Sequence, residues 1–131
     1  MAVVTRRTIS SGGHWEARFG YSRAVVLGDR CWVSGSTDAR PDGRSGHPGD
    51  PGAQAAAALE VIERALGEAG FTRADVVRTR MFITDPSYGE AVGLAHGAFF
   101  ADVRPASSML VIPRLIEPSL LVEIEADAER G

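Results

Sequence analysis

The chain has 131 residues, of which 44% are hydrophobic and 24% charged, and its net charge is −3. That length suits one domain, residues 1–131, built on a single core, and no apolar run approaches the roughly 20 residues that span a bilayer. All 14 basic residues are arginines, which removes Schiff-base chemistry through a lysine, and the acidic balance argues against general affinity for nucleic acid.

Residues 3–10 carry a weak strand pattern that Ser11-Gly12-Gly13 ends. Residues 21–27 and 30–36 are apolar, β-branched runs joined by Gly28-Asp29, a hairpin-type connection. Cys31, the only cysteine, lies in the second run and reads as a buried small hydrophobe with no disulfide partner. Residues 38–52 hold too many prolines and glycines for a regular element and read as a surface loop of functional length.

Asp50-Pro51 opens a helix, with Leu59, Ile62, Leu66 and Ala69 as its apolar stripe and Gly70 as its stop. Residues 75–83 alternate as a strand in which Arg78, Arg80 and Phe82 share one face and Val77, Thr79, Met81 and Ile83 the other. A second helix follows Asp85-Pro86, with Ser87 and Glu90 at capping-box spacing and a stripe of Tyr88, Val92, Ala95 and Phe99. His96 falls off that stripe and reads as solvated.

Residues 106–112 and 120–127 are the last strands. In the second of them Val122, Ile124 and Ala126 share a face, and Glu123 and Glu125 share the other. Two acids within the most hydrophobic strand require that their face border water, a partner or a ligand. The element order is β-β-β-α-β-α-β-β, an α+β fold with one mixed sheet and both helices on one face. Met109, Val111 and Val122 are read as apolar on both faces, so other chains are expected to cover the second one. Trp15 and Trp32 read as core or interface aromatics.

His14, His47 and His96 lack metal-ligand spacing, so neither a metal nor a cofactor is expected, and no phosphate loop or nucleophile elbow is present. The first residues lack the apolar stretch of a secretory signal, which makes the cytoplasm the expected location.

Pro105-Ala106-Ser107-Ser108 before a strand, then Arg114-Leu115, then Val122-Glu123-Ile124-Glu125-Ala126, resembles the C-terminal signature of the RidA (YjgF, liver perchloric-acid-soluble) family. Gly20-Tyr21-Ser22 and Val33-Ser34-Gly35 are similar to that family's N-terminal motifs, and the helices, the strand between them and Phe99-Phe100 follow in matching order. The resemblance implies a chorismate-mutase-like homotrimer with ligand clefts between subunits, acting on a small-molecule metabolite.

The same resemblance assigns residues. Glu123 matches the family glutamate that holds or activates water; the alternative is a structural acid paired with an arginine. Tyr21 matches a tyrosine of the cleft wall, with half-buried packing as its other reading. Ser34 and Gly35 match a pair whose backbone passes close to the ligand. Ser107 stands where deaminating members carry the arginine that binds a 2-imino acid carboxylate. Serine offers one neutral hydrogen bond and no charge, a loss on the order of 1–2 kcal/mol, so the resemblance stops short of the standard 2-imino acid deaminase activity. Arg80 is the best replacement anchor, or else a salt bridge to Glu123 or Glu125.

The function expected is a cofactor-independent hydrolase or deaminase of a small enamine, imine or amide-type metabolite. A non-catalytic ligand-binding trimer is the alternative, and a ribonuclease is the reading least favoured by the charge.

Overall fold

Six strands form one sheet in the order β1-β2-β3-β6-β4-β5. They are β1 (Arg6–Ile9), β2 (Ala24–Leu27), β3 (Arg30–Ser36), β4 (Val76–Ile83), β5 (Ala106–Val111) and β6 (Val122–Glu129). Neighbours are antiparallel except β4 and β5, which run parallel as a strand-helix-strand unit requires. The computed structural model describes residues 4–131, so Val3, the expected start of the first strand, lies outside the described residues. No helix among these residues is long and apolar enough to cross a membrane.

Helix α2 (Pro51–Ala69) takes the limits its sequence announces. The Asp50 side chain accepts the Ala53 N–H at 3.0 Å, Pro51 needs no donor at the first position, and Gly70 turns left-handed at φ 85°. Its stripe buries Leu59, Ile62, Leu66 and Ala69 against Val33, Ile124, Ala126 and their neighbours in one core. Gln54 is fully buried in this apolar setting because both of its N–H donors and its oxygen are hydrogen-bonded. Its amide donates to the carbonyls of His47 (3.1 Å) and Ser119 (2.9 Å), and its oxygen accepts the Leu121 N–H at 2.8 Å. One side chain thus pins the 38–52 loop to the start of β6.

Two local features depart from the expected order. A short helix α1 (His14–Phe19) stands between β1 and β2, and β2 starts at Ala24 instead of Tyr21. Glu16 closes α1: its carboxylate accepts the Ser11 N–H at 3.2 Å and the Ser11 hydroxyl, while Gly20 caps the end at φ 74°. Burial alone would raise the Glu16 pKa, but the Ser11 bonds outweigh it and hold it below the usual carboxylate value. One turn and a half carries too little periodicity to read from sequence.

The capping box expected of Ser87 and Glu90 does not form. Asp85 is the nearer acceptor and takes both the Ser87 N–H (2.8 Å) and its hydroxyl (2.7 Å), making a single turn over Pro86–Tyr88 before α3 (Gly89–Phe100). Val92 and Phe100 of α3 are buried, with Tyr88, Ala95 and Phe99 packed partly against the core.

The two faces of the sheet differ more than the sequence suggests. Val122 is on the helix-covered face, and Met109 and Val111 share that face rather than the other, since they pair in register with Met81 and Ile83 and Met109 reaches Gly89 and Gly93 of α3. The open face carries Trp32, Phe82 and Leu110 around Arg78, Arg80, Glu123, Glu125 and Asp127. Trp15 and Trp32 are exposed in the single chain, Trp15 stacked on Phe19 at 5.1 Å, so neither belongs to its core. Cys31 is buried, and desolvation pushes its thiol up to about 11, which makes it unreactive.

Candidate functional site

Glu123 lies near the start of β6, between β3 and β4, paired in register with Phe82. On its β3 side the ladder is irregular between Val33 and Ser36, and this bulge turns Ser34 and Gly35 out of the regular pleat. Gly35 is there for space. A Cβ at that position would stand 2.7 Å from the Glu123 Cδ, so any larger residue would displace the carboxylate. The close approach read from sequence as room for a ligand is first of all room for Glu123.

Glu123 is half-buried, and its pKa is raised above the ordinary carboxylate value. Desolvation is the main cause, the like charge of Glu125 adds to it, and the guanidinium of Arg23 opposes it. Arg23 is the residue that sequence reasoning missed. Its guanidinium donates to the Gly35 carbonyl at 2.8 Å, and its backbone carbonyl accepts the Ser34 N–H at 2.9 Å. Its Nε is buried without a hydrogen-bond partner. The available signal was an arginine at the edge of an apolar strand, where an unpaired cation is costly.

The other expected residues divide. Ser34 is at the bulge, but its hydroxyl donates to the Ser22 carbonyl at 2.7 Å and ties the Tyr21–Arg23 turn to β3. Tyr21 is exposed on that turn. Arg80 points to the same open face as Glu123 but is engaged elsewhere, with Glu125 at 3.2 Å and Asp127 at 3.4 Å. Of the two readings of Arg80, the geometry gives the salt bridge to Glu125. It leaves Glu123 without that arginine.

Ser107 is on the other side of the sheet. It pairs in register with Thr79, and the Thr79 hydroxyl is hydrogen-bonded to Ser107 Oγ at 2.7 Å on the helix-covered face, at the edge strand β5. One chain therefore cannot bring Ser107 and Glu123 into a single pocket. The same Thr79 hydroxyl lies 2.8 Å from His96 Nε2. The reading of His96 as solvated is thus corrected: it is half-buried against Phe100, and burial lowers its pKa, which keeps the ring neutral. The helix stripe is wider than the four positions read from sequence, so a residue beside it still meets the sheet.

Two shallow depressions, of about 130 and 240 Å³, lie away from Glu123, one beside Arg23 and α2 and the other beside Trp32 and Asp127. Glu123 lines neither of them and sits on the open face.

A family model described as Endoribonuclease L-PSP matches residues 13–130. An uncharacterized protein of Streptomyces coelicolor is 38% identical over 125 residues, covering 95% of this chain and 92% of its own. A RutC family protein of Haemophilus influenzae is 35% identical, covering 84% of this chain and 86% of its own. Among solved structures, a Mycobacterium tuberculosis member of the YjgF/YER057c/UK114 family is 47% identical, with a TM-score of 0.87 over 96% of this chain and 100% of that one. The YjgF gene product of E. coli is 30% identical, with a TM-score of 0.82 over 95% of this chain and 99% of that one.

Proposed function

Because the chain belongs to the endoribonuclease L-PSP family, the YjgF/UK114 group that includes RidA, we propose that it hydrolyses a small enamine, imine or amide-type metabolite in clefts between the subunits of a homotrimer. The observation that carries this reading is Glu123, a half-buried carboxyl with a raised pKa, fitted against Gly35 and facing outward from an uncovered sheet face. When ionised, such a carboxylate is a stronger base than a solvated one, suited to taking a proton from water as the water attacks a polarised C=N carbon. Arg23 beside it supplies positive charge, and Tyr21 stands on the adjoining turn.

Two features support the trimer. β5 is a sheet edge exposed along its whole length, with Met109, Leu110 and Val111 among its residues, a surface that solitary proteins avoid. Ser107 and Glu123 are also on opposite faces, so a cleft that used both would have to take them from different copies.

The missing charge at Ser107 and the engaged Arg80 favour a substrate without an obligatory carboxylate. The test generates imines with and without a carboxylate in situ and follows carbonyl product. Carboxylate-free imines should turn over faster, Glu123→Gln should abolish that turnover, and Ser107→Arg should gain activity on 2-iminobutyrate. Turnover that survives Glu123→Gln overturns the assignment, and ligand binding with no turnover of any compound would make the protein a binding module. The family description names a ribonuclease; a net charge of −3 with no lysine weighs against that activity here. RNA cleavage that survives repurification and is lost in Glu123→Gln would restore it.

A further inference from the structure

Thr79 sits in the middle of an apolar strand face, between Val76 and Met81, and is fully buried. A hydroxyl there is costly unless bonded, and His96 alone would satisfy it. Thr79 nevertheless makes a second bond, out to the exposed Ser107, so that three side chains from β5, β4 and α3 form one continuous path: Ser107 Oγ to Thr79 Oγ1 at 2.7 Å, and Thr79 Oγ1 to His96 Nε2 at 2.8 Å. Both hydroxyls rotate freely about their C–O bonds, so the path conducts in either direction. As placed, the Thr79 hydroxyl donates to Ser107 Oγ; with the imidazole proton on Nδ1 both hydroxyls turn, so that Ser107 donates to Thr79 and Thr79 donates to Nε2.

We propose that Ser107 is a nucleophile activated by His96 through the Thr79 hydroxyl, and that it takes an acyl group from a small ester or activated amide. Ser107 Oγ bonds to the carbonyl carbon while its proton passes to Thr79 and the Thr79 proton passes to His96. The carbon–oxygen or carbon–nitrogen bond of the leaving group then breaks, that group takes its proton from solvent water, and His96 keeps the proton it accepted. Water attacks the acyl-serine, the acid is released, and the proton held by His96 returns through Thr79 to Ser107 Oγ. A half-buried neutral imidazole is the form that can accept a proton, and β5, as the edge strand, turns alternate backbone N–H groups outward beside Ser107, where an oxyanion would develop. Thr79 and His96 act through Ser107 and touch no substrate. This rests on and deepens the amide-type branch of the proposed function, with Ser107 in place of a water molecule as the attacking group.

The test incubates the full-length protein with a small alkyl fluorophosphonate and locates the adduct by intact mass and peptide mapping. Ser107 Oγ would bond to phosphorus, fluoride would leave, and the proton would pass through Thr79 to His96. A single adduct at Ser107 is expected. Thr79→Val and His96→Gln should each slow its formation on the order of 100-fold, and Thr79→Ser, which keeps the hydroxyl, should restore it. Ser108→Ala, beside the nucleophile but on the other face, should label at the unmodified rate. If Thr79→Val fails to fold, His96→Gln together with Thr79→Ser carries the comparison. No adduct, an adduct elsewhere, or labelling of Ser107 at the same rate without Thr79 or His96 would overturn the proposal. Adduct formation and imine turnover are measured on the same samples of each variant, so the failure of one reading is visible apart from the other.

Discussion

The helix-covered face of the sheet and its open face are built from the same strands, yet they use burial in opposite ways. On the covered face Val33, Ile83, Val122, Ile124 and Ala126 meet α2 and α3 with almost no exposure, and buried polar groups admitted there, such as Gln54, Thr79 and Ser36, are hydrogen-bonded. On the open face the same strands present Arg80, Glu123, Glu125 and Asp127, half-exposed and coupled by charge. Stability comes from the first face because apolar area removed from water dominates folding. The proposed chemistry is placed on groups left partly solvated, as Glu123 is, or reached from the edge, as Ser107 is.

Mutations that respect this division should separate into large and small effects. Leu59→Ala, in the fully buried stripe of α2, should cost about 3 kcal/mol in urea unfolding, from lost transfer energy and the cavity left behind. A loss under about 1 kcal/mol would show that the core collapses around the gap. Gln54→Leu should cost roughly 2 kcal/mol, because it leaves the His47 and Ser119 carbonyls and the Leu121 N–H without their partner. Hydrogen exchange should quicken in the 38–52 loop of that variant before anywhere else.

Across the sheet the effects should shrink. Arg80 is 38% exposed, and its two carboxylate partners are partly solvated, so Arg80→Ala should lower stability by less than about 1 kcal/mol, and less again at high salt. A larger loss would mean that the open face is covered in solution. The smallest effect should have the opposite sign. Folded Glu123 binds its proton more tightly than the unfolded chain does, so folding loses stability as pH rises from the ordinary carboxylate value through the raised one, and stays level above it. Glu123→Gln should therefore melt slightly higher than the unmodified protein near neutral pH, and no higher below the ordinary carboxylate range. Equal melting temperatures at both would remove the raised pKa from the account.

Much of the fold was legible because its signals are local. The limits of α2 are set by Asp50-Pro51 and Gly70, and β3 by an apolar run after a two-residue turn; both were readable to the residue. Helix α1 was missed because its six residues depend on a single glutamate reaching back to Ser11. His96 was misjudged because the side chain that receives it, Thr79, is seventeen positions away on another element. Arg23 was overlooked because its partners, Gly35 and Glu123, come from two further strands.

The sequence by itself determined the class of fold, the family frame, and the alternation that sets Glu123 opposite Val122 and Ile124. Only the tertiary structure decided which strands are neighbours. Inserting β6 between β3 and β4 is what lays Glu123 against Gly35 and hands Arg80 to Glu125, and placing β5 at the edge is what joins Ser107 to Thr79 and His96. Pattern along a chain fixes which side of a strand a residue faces, because that depends on adjacent peptide units. Which groups then meet depends on contacts between distant segments, and those are chosen by how the whole core closes.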